Sequence, residues 1–179
     1  LDVPAHKIAS FELVDLALLR KIAATGKPII MSTGMASLEE IEEAVATIRA
    51  EGGRQLALLK CTSAYPALPE EMNLRTIPDL AQRFQLPVGL SDHMLDSTVA
   101  VAAVALGACI VEKHFTLDKT RATFRDHTLS ADSADLRRLA DIMHQFDIML
   151  GSGRKDLSEA EAGMGKVARR SRMVSRMPP

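Results

Sequence analysis

Two histidines, His93 and His114, each close an apolar run that is typical of a buried β-strand. The runs are 87–93 and 109–114, and the small-residue segment between them, 96–107, has the composition of a helix. A strand, a helix and a second strand form a right-handed crossover, in which the strands are parallel and usually adjacent. Neighbouring strands lie about 4.8 Å apart, so both imidazoles can reach one ion. Because active sites of such folds lie at the carboxyl ends of the strands, the pair predicts a metal-assisted enzyme.

The composition is that of a soluble globular protein with one core, since 47% of the 179 residues are hydrophobic and 25% are charged. A net charge of −1 argues against a nucleic-acid binder. No apolar stretch reaches the roughly 18 residues that cross a membrane. Cys61 and Cys109 both lie in strand-like runs, and we expect buried free thiols and a cytoplasmic protein.

Five strand-like runs alternate with helix-like segments. The runs begin at His6, Pro28, Leu56, Pro87 and Cys109, and the helix-like segments are 13–24, 38–50, 74–84, 97–106 and 133–150. Ser37 and Glu40 have the spacing of a capping box at the start of the second helix. Strict alternation implies an α/β fold with a parallel sheet covered on its faces. The sheet is either open and complete, or about five units of a (β/α)8 TIM barrel with three leading units missing. The start at Leu1 favours this incomplete barrel.

The domain organisation follows from a change in character near residue 150. We expect the βα units to occupy residues 1–150 and residues 151–179 to form a basic linker toward a further domain that is absent. The tail carries five cations and no acid between residues 166 and 176, namely Lys166, Arg169, Arg170, Arg172 and Arg176. A phosphate or nucleic-acid patch is the alternative interpretation.

Polar side chains recur where the predicted strands end. They are Lys7, Ser10 and Glu12, then Ser32, then Ser63 and Tyr65, then Ser91 and His93, and finally His114. Ser91 and His93 lie two residues apart, so they face the same way on a regular strand. Lys7 and Ser10 have opposite parity, so the first strand must turn or bulge after Ala9 to bring both to one site.

Five motifs that contain these residues resemble the N-acetylneuraminate synthase family in sequence and order. They are KIASFE (7–12), GKPIIMSTGM (26–35), CTSAYP (61–66), GLSDH (89–93) and EKHFT (112–116). The resemblance covers about residues 1–151 and implies a synthase that condenses phosphoenolpyruvate with an N-acetylated amino sugar to form a nonulosonic acid. Within the family, KIASFE, CTSAYP and MNLRTIP (72–78) are most similar to the pseudaminic acid synthase branch.

The resemblance implies that His93 and His114 bind a divalent ion, Mn²⁺ or Mg²⁺, that polarises the aldehyde oxygen of the sugar. Two histidines are an incomplete ligand set, so water, substrate oxygens or another side chain must complete it. We expect Asp92, the neighbour of His93, to orient that ligand from the second shell.

Phosphoenolpyruvate binding is implied for Lys7 and for the four serines Ser10, Ser32, Ser63 and Ser91. A trianionic ligand needs several hydrogen-bond donors and at least one cation, and this set supplies both. The alternative for Ser32 and Ser63 is a hydrogen bond to a neighbouring carbonyl.

Three further residues are implied at the reacting end of the site. Glu12 is the candidate for acid–base work, with a salt bridge at the strand end as the alternative. Tyr65 is expected to contact the sugar, with plain packing as the alternative. Asp126 aligns with the family's sugar-binding aspartate only after a shift of one residue and without the preceding Gly-Pro, so the stretch 123–127 departs from the family pattern.

The resulting hypothesis is a pseudaminic acid synthase that is cytoplasmic, and homodimeric at full length. N-acetylneuraminate and legionaminate synthases are alternatives within the family. An inactive fragment or degenerate homologue that only binds phosphate or sugar is a further one, favoured by the altered 123–127 stretch. A metal-dependent aldolase on the same barrel is the remaining alternative, and it would release no phosphate.

Overall fold

The computed structural model describes residues 2–121, 124 and 126–168. Its strands are β1 (His6–Ile8), β2 (Ile29–Ser32), β3 (Leu56–Cys61), β4 (Val88–Asp92) and β5 (Val111–Lys113). Its helices are α1 (Leu16–Ala23), α2 (Leu38–Ala50), α3 (Thr76–Phe84), α4 (Thr98–Ala105), α5 (Asp126–Leu129), α6 (Ser133–Leu150) and α7 (Glu159–Ala168). Short 3₁₀ turns follow β1 and β3, at Ser10–Glu12 and Pro69–Glu71.

The sheet is entirely parallel, and its strands follow one another in sequence order from β1 to β5. A doubly wound sheet reverses its strand order at a switch point, and this sheet does not. Sequential parallel strands with a helix after each are the pattern of a (β/α)8 barrel. The predicted α/β fold with about five βα units of a TIM barrel is therefore confirmed.

The sheet is strongly curved. Lys7 lies on β1 and Glu112 on β5, and four strand spacings would separate them by about 19 Å in a flat sheet. Their side chains instead form an ion pair, with Lys7 Nζ 3.3 Å from Glu112 Oε1. Curvature therefore gives the sheet a concave face, and this face carries the polar residues of the strand ends.

The convex face of the sheet holds the hydrophobic core. Ile8, Met31, Leu58 and Leu90 alternate with the concave-face residues along β1 to β4, and all four are fully buried. The helices pack their apolar sides onto this layer through further fully or nearly fully buried residues, among them Leu19, Ile41, Ile48, Ile77 and Leu80. The core thus fixes the strands from outside and leaves their concave face free for polar groups.

Local signals explain where the helices begin. Ser37 Oγ accepts a hydrogen bond from the Glu40 amide at 3.2 Å, and Glu40 Oε2 accepts one from the Ser37 amide at 2.7 Å. The predicted capping box of α2 is confirmed. Helix α1 starts later than predicted because Asp15 caps it, accepting from the Leu18 amide at 3.0 Å. The residues after Ala9 form the 3₁₀ turn, which is the change of direction that side-chain parity required.

Gly89 allows close packing in the middle of the concave face. A Cβ at this position would lie 2.4 Å from the Ile110 carbonyl oxygen and 2.7 Å from Leu59 Cδ2. We expect Gly89→Ala to lower stability by about 1–3 kcal/mol, because backbone cannot yield as a flexible side chain does. Thermal unfolding measures the effect. Gly163→Ala is the matched control, since nothing lies within 4 Å of its added Cβ; equal melting temperatures for the two variants would contradict the prediction.

The two cysteines differ in burial. Both cysteines are free, but only Cys61 is buried, so the prediction of a buried Cys109 is wrong. Cys109 precedes β5, which begins at Val111; the residue is exposed, and its thiol donates to the Val88 carbonyl at 3.3 Å. By internal contacts the chain forms two units, residues 1–144 and 145–179.

The segment predicted as a linker contains α7, while Arg169, Arg170, Arg172 and Arg176 lie outside the described residues. In the part of the chain that the structure describes, no helix has the length and apolar character needed to cross a membrane.

Candidate functional site

Three rings meet at the carboxyl ends of β3, β4 and β5. The ring centroids of His93 and His114 are 5.3 Å apart in an edge-on arrangement. The Tyr65 ring lies 4.2 Å from that of His93 and 5.8 Å from that of His114. The structure therefore brings together the two histidines that the crossover predicted, and it places Tyr65 against both.

The orientation of His93 is fixed by a backbone carbonyl. His93 Nδ1 lies 2.8 Å from the carbonyl oxygen of Thr62, and the residue is only 5% exposed. A carbonyl oxygen can only accept, so Nδ1 carries the hydrogen and donates it. In the neutral ring the free electron pair is then on Nε2. This is the arrangement in which a second-shell acceptor prepares a histidine to bind a metal ion.

The two histidines differ in how readily they hold a proton. Burial lowers the pKa of His93, but hydrogen bonds to Cys61 and to the Thr62 carbonyl outweigh burial, and the pKa is raised above its ordinary value. The pKa of His114 is lowered, first by burial and then by the neighbouring His93. A proton on one ring thus opposes a proton on the other, and a metal ion requires both rings to be neutral.

The donor set fits a metal ion in chemistry but supplies only two protein ligands. Within residues 2–121, 124 and 126–168, no group of three or more His, Cys, Asp or Glu side chains is placed to hold one. Water, substrate oxygens or a side chain outside the described residues would complete the coordination of an ion held by His93 and His114.

A polar chain crosses the concave face beside the rings. Lys7 Nζ donates to Ser32 Oγ at 2.9 Å and is paired with Glu112 Oε1 at 3.3 Å. Ser91 Oγ donates to the other oxygen of this carboxylate at 2.7 Å. One lysine, one carboxylate and two hydroxyl groups from four strands therefore form a single network.

Glu112 is the site residue that sequence reasoning missed. It lies in the EKHFT motif, two residues before His114, so side-chain parity alone would have placed it on the same face. Its carboxylate holds both Lys7 and Ser91, and it balances the lysine charge. The pairing of Lys7 with Glu112 could not be predicted from local sequence, because β1 and β5 meet only through the curvature of the sheet.

Ser10 and Ser63 converge on Gly34 next to this network. Ser10 Oγ accepts from the Gly34 amide at 3.1 Å. A Cβ on Gly34 would lie 2.4 Å from Ser63 Oγ and 2.8 Å from Ser10 Oγ, so a larger residue there would force the hydroxyl groups to shift. The Ser63 hydroxyl is buried and has no hydrogen-bond partner among the described residues. The alternative that Ser63 bonds to a neighbouring carbonyl is therefore not what the structure contains.

Cys61 lies behind these serines. Its Sγ is 3.9 Å from His93 Nδ1. Burial raises the pKa of the thiol, but hydrogen bonds from His93, Ser10 and Ser91 outweigh it and lower the pKa to about 7. A cavity of about 530 Å³ opens beside Cys61 and Ser63, and a smaller one of about 190 Å³ is lined by Ser91, Glu112 and His114, among others.

Glu12 and Asp126, two of the residues predicted at the reacting end of the site, have surroundings that differ from each other. Glu12 is exposed, and its Oε2 accepts a hydrogen bond from the Ala9 amide at 2.8 Å, which caps the 3₁₀ turn. In the described residues it makes no hydrogen bond or ion pair with the other site residues. Asp126 begins α5 and acts electrostatically on His114, where it offsets part of the lowering of the pKa that burial and His93 cause. Thr123 and Arg125, in the stretch that departs from the family pattern, lie outside the described residues.

The expectation for Asp92 is not met. Asp92 and His93 are consecutive, so they point to opposite faces of the sheet. The Asp92 carboxylate contacts Lys113 Nζ at 2.7 Å and the Met94 amide at 2.8 Å. The Thr62 carbonyl, rather than the Asp92 carboxylate, orients the His93 ring.

Comparison with known sequences relates this arrangement to one family. The model of the NeuB family matches residues 1–155. An N,N'-diacetyllegionaminic acid synthase of Campylobacter jejuni subsp. jejuni serotype O:2 is 42% identical over 173 residues, which are 96% of this chain and 52% of that protein. A pseudaminic acid synthase of Campylobacter jejuni subsp. jejuni serotype O:23/36 is 44% identical over 158 residues, 88% of this chain and 46% of that protein. The chain thus spans about half the length of the curated relatives it matches.

Comparison with solved structures gives the same relationship. The N-acetylneuraminic acid (sialic acid) synthetase of Leptospira borgpetersenii serovar Hardjo-bovis, crystallised in complex with citrate, aligns with a TM-score of 0.84. The alignment has 32% sequence identity and covers 97% of this chain and 60% of that chain. The fold is therefore shared over nearly the whole length of this chain.

Proposed function

Because this chain belongs to the NeuB family, we propose that it contributes the active-site face of a nonulosonic acid synthase. The reaction joins phosphoenolpyruvate to the open-chain form of an N-acetylated amino sugar, consumes one water and releases inorganic phosphate. The observation that carries the proposal is the juxtaposition of a cation-and-hydroxyl network with a pair of histidines, one of them oriented by the Thr62 carbonyl, on one concave face.

Phosphoenolpyruvate is proposed to bind at the network end. Lys7 supplies a positive charge, and Ser32 and Ser91 already lie within its network. The hydroxyl of Ser63 is buried and has no hydrogen-bond partner in the described part of the chain, and together with Ser10 it offers further hydrogen bonds beside Gly34. Charged acceptors receive the strongest hydrogen bonds from such groups. Glu112 pairs with the Lys7 ammonium and is proposed to hold this cation at the phosphoenolpyruvate end of the site.

The aldehyde of the sugar is proposed to lie at the ring end. A divalent ion, Mn²⁺ or Mg²⁺, held by His93 and His114 would supply Lewis-acid polarisation of the aldehyde oxygen. Tyr65 lies against both rings and is proposed to contact the sugar. Asp126, which acts electrostatically on His114, is proposed to bind the hydroxyl groups of the sugar. Glu12 is proposed to transfer a proton to the new alkoxide or from the attacking water, after its capping bond to Ala9 opens.

The bond changes follow from these placements. The methylene carbon of phosphoenolpyruvate forms the new C–C bond to the aldehyde carbon, and the aldehyde oxygen takes up a proton. Water adds to the cationic carbon that remains and loses one proton; the hydroxyl group so formed then loses the second proton and becomes the ketone C=O as the C–O bond to phosphate breaks. Each proton that the water releases balances one that the alkoxide or the phosphate gains.

We propose pseudaminic acid as the product, on the similarity of the KIASFE, CTSAYP and MNLRTIP motifs to that branch. Legionaminic acid is the second candidate, because a relative named as its synthase is 42% identical over nearly the whole chain. N-acetylneuraminic acid is the third. From the family resemblance we also propose a homodimer at full length and a cytoplasmic location.

Phosphate release by the full-length gene product tests the proposal. The assay contains Mn²⁺, phosphoenolpyruvate and, in turn, each candidate N-acetylated sugar, with a reaction lacking sugar and a reaction containing a chelator. We expect release that depends on one sugar and stops with the chelator, and mass spectrometry of the product identifies the acid. A condensation product that forms without release of inorganic phosphate would indicate an aldolase. Binding of phosphoenolpyruvate and metal without turnover of any sugar would indicate a degenerate homologue.

A further inference from the structure

A buried ion pair lies directly behind the two histidines. Asp92 Oδ2 and Lys113 Nζ are 2.7 Å apart, and their side chains are 0% and 4% exposed. Asp92 precedes His93, and Lys113 precedes His114. The pair lies on the convex face, whereas both histidines are on the concave face. Within the described residues neither side chain hydrogen-bonds a residue of the Lys7–Glu112 network, although both residues line the cavity of about 190 Å³ together with Ser91, Glu112 and His114.

The ion pair also encloses the backbone that follows His93. Lys113 Nζ donates to the Met94 carbonyl at 2.6 Å, and the Met94 amide donates to Asp92 Oδ1 at 2.8 Å. Both polar groups of the Met94 peptide backbone are thus held by the pair. The three contacts join the end of β4, the turn after it and the end of β5 into one clip.

The position of this clip in the sheet is informative. Asp92 and Lys113 are the last partners in the β4–β5 register, so the strand pairing ends one residue before each histidine. His93 is then held by its carbonyl, which accepts from the Ala67 amide at 3.1 Å, whereas the His114 carbonyl accepts from the Ala131 amide at 2.8 Å. The clip therefore lies at the end of the β4–β5 pairing, next to two histidines whose backbone carbonyls have different hydrogen-bond partners.

Energetics argue against stability as its purpose. Replacing a buried ion pair by apolar residues of similar volume is often neutral or stabilising, because the desolvation of two charges offsets their attraction. An apolar pair cannot form directional hydrogen bonds to a neighbouring amide and carbonyl. We propose that Asp92 and Lys113 are positioning residues that set the spacing of His93 and His114 for a shared divalent ion. The inference rests on the proposed metal-binding role of the histidines.

The test compares single and double variants of the full-length gene product. Asp92→Asn and Lys113→Met each leave one buried charge without its partner, and the double variant Asp92→Asn/Lys113→Met leaves none. Two quantities are measured for each protein, the thermal midpoint without metal and the dissociation constant for Mn²⁺ by electron paramagnetic resonance. Lys119→Met is the matched control, because Lys119 pairs with Asp135 at the surface, where both side chains are partly exposed.

We expect each single variant to lose thermal stability and Mn²⁺ affinity together. The double variant is expected to regain a midpoint close to that of the wild type while its Mn²⁺ affinity stays about 10- to 100-fold weaker, the usual size of a second-shell effect. Lys113→Arg, which keeps a cation at this place, is expected to retain most of the affinity. Lys119→Met is expected to change neither quantity.

Recovery of Mn²⁺ affinity along with the midpoint in the double variant would overturn the inference, because the pair would then act only on folding. A double variant that stays as unstable as the single ones would overturn it too, since the pair would then be needed for stability itself. Failure of the proposed function gives a different result: the wild type would bind no Mn²⁺, or would release no phosphate with any sugar.

Discussion

Replacing His93 by alanine in the full-length gene product is expected to weaken Mn²⁺ binding and to lower the rate of phosphate release by about 10³-fold. His93 donates through Nδ1 to the Thr62 carbonyl, which leaves Nε2 as the electron-pair donor, so alanine removes one of the two proposed histidine ligands. Lewis-acid stabilisation is worth several kcal/mol, and each 1.36 kcal/mol corresponds to about tenfold in rate. Phosphate release at saturating substrate and Mn²⁺ titration measure the two effects.

His144→Ala serves as the matched control. His144 is exposed on α6 and is not part of the site, so this variant is expected to bind Mn²⁺ and to turn over like the wild type. An unchanged rate in the His93 variant would remove the histidine pair from the mechanism. An equal loss in both variants would indicate general damage rather than loss of a ligand.

Lys7→Met is expected to raise the phosphoenolpyruvate concentration at half-maximal rate by about 10- to 100-fold, with the half-saturating sugar concentration little changed. A hydrogen bond to a charged group contributes about 1.5–3 kcal/mol, which corresponds to this range. The substitution also leaves Glu112 without its cation, and an unpaired carboxylate repels a trianionic substrate. Steady-state kinetics with each substrate varied in turn separates the two effects.

Two companion variants make the Lys7 prediction specific. Lys27→Met removes a lysine that is paired with Asp2 at 3.0 Å at the surface, and it is expected to leave both constants unchanged. Lys7→Met/Glu112→Gln removes the repulsive carboxylate charge as well, so it is expected to recover part of the lost affinity. A Lys7→Met variant that affects the sugar constant alone would assign this lysine to the other end of the site.

Local signals in the sequence determined the elements and their order. Strand β3 occupies the predicted LALLKC run, and α2 covers the predicted 38–50, because an apolar run and a capping box act within a few residues of the chain. The crossover rule then placed His93 and His114 side by side, since consecutive βα units in a parallel sheet are neighbours. The motifs identified the family, and their side-chain parity identified one face.

Tertiary structure decided everything that depends on the curvature of the sheet and on which face a side chain takes. Lys7 and Glu112 meet because the sheet bends β1 toward β5, and no spacing along the chain encodes that distance. Asp92 points away from the histidine beside it and pairs with Lys113, because alternate residues of a strand face opposite sides. The Thr62 carbonyl rather than a carboxylate orients His93. The sequence could not predict this contact, because every residue has a backbone carbonyl. Sequence thus supplied the chemical groups, and long-range packing selected which of them act together.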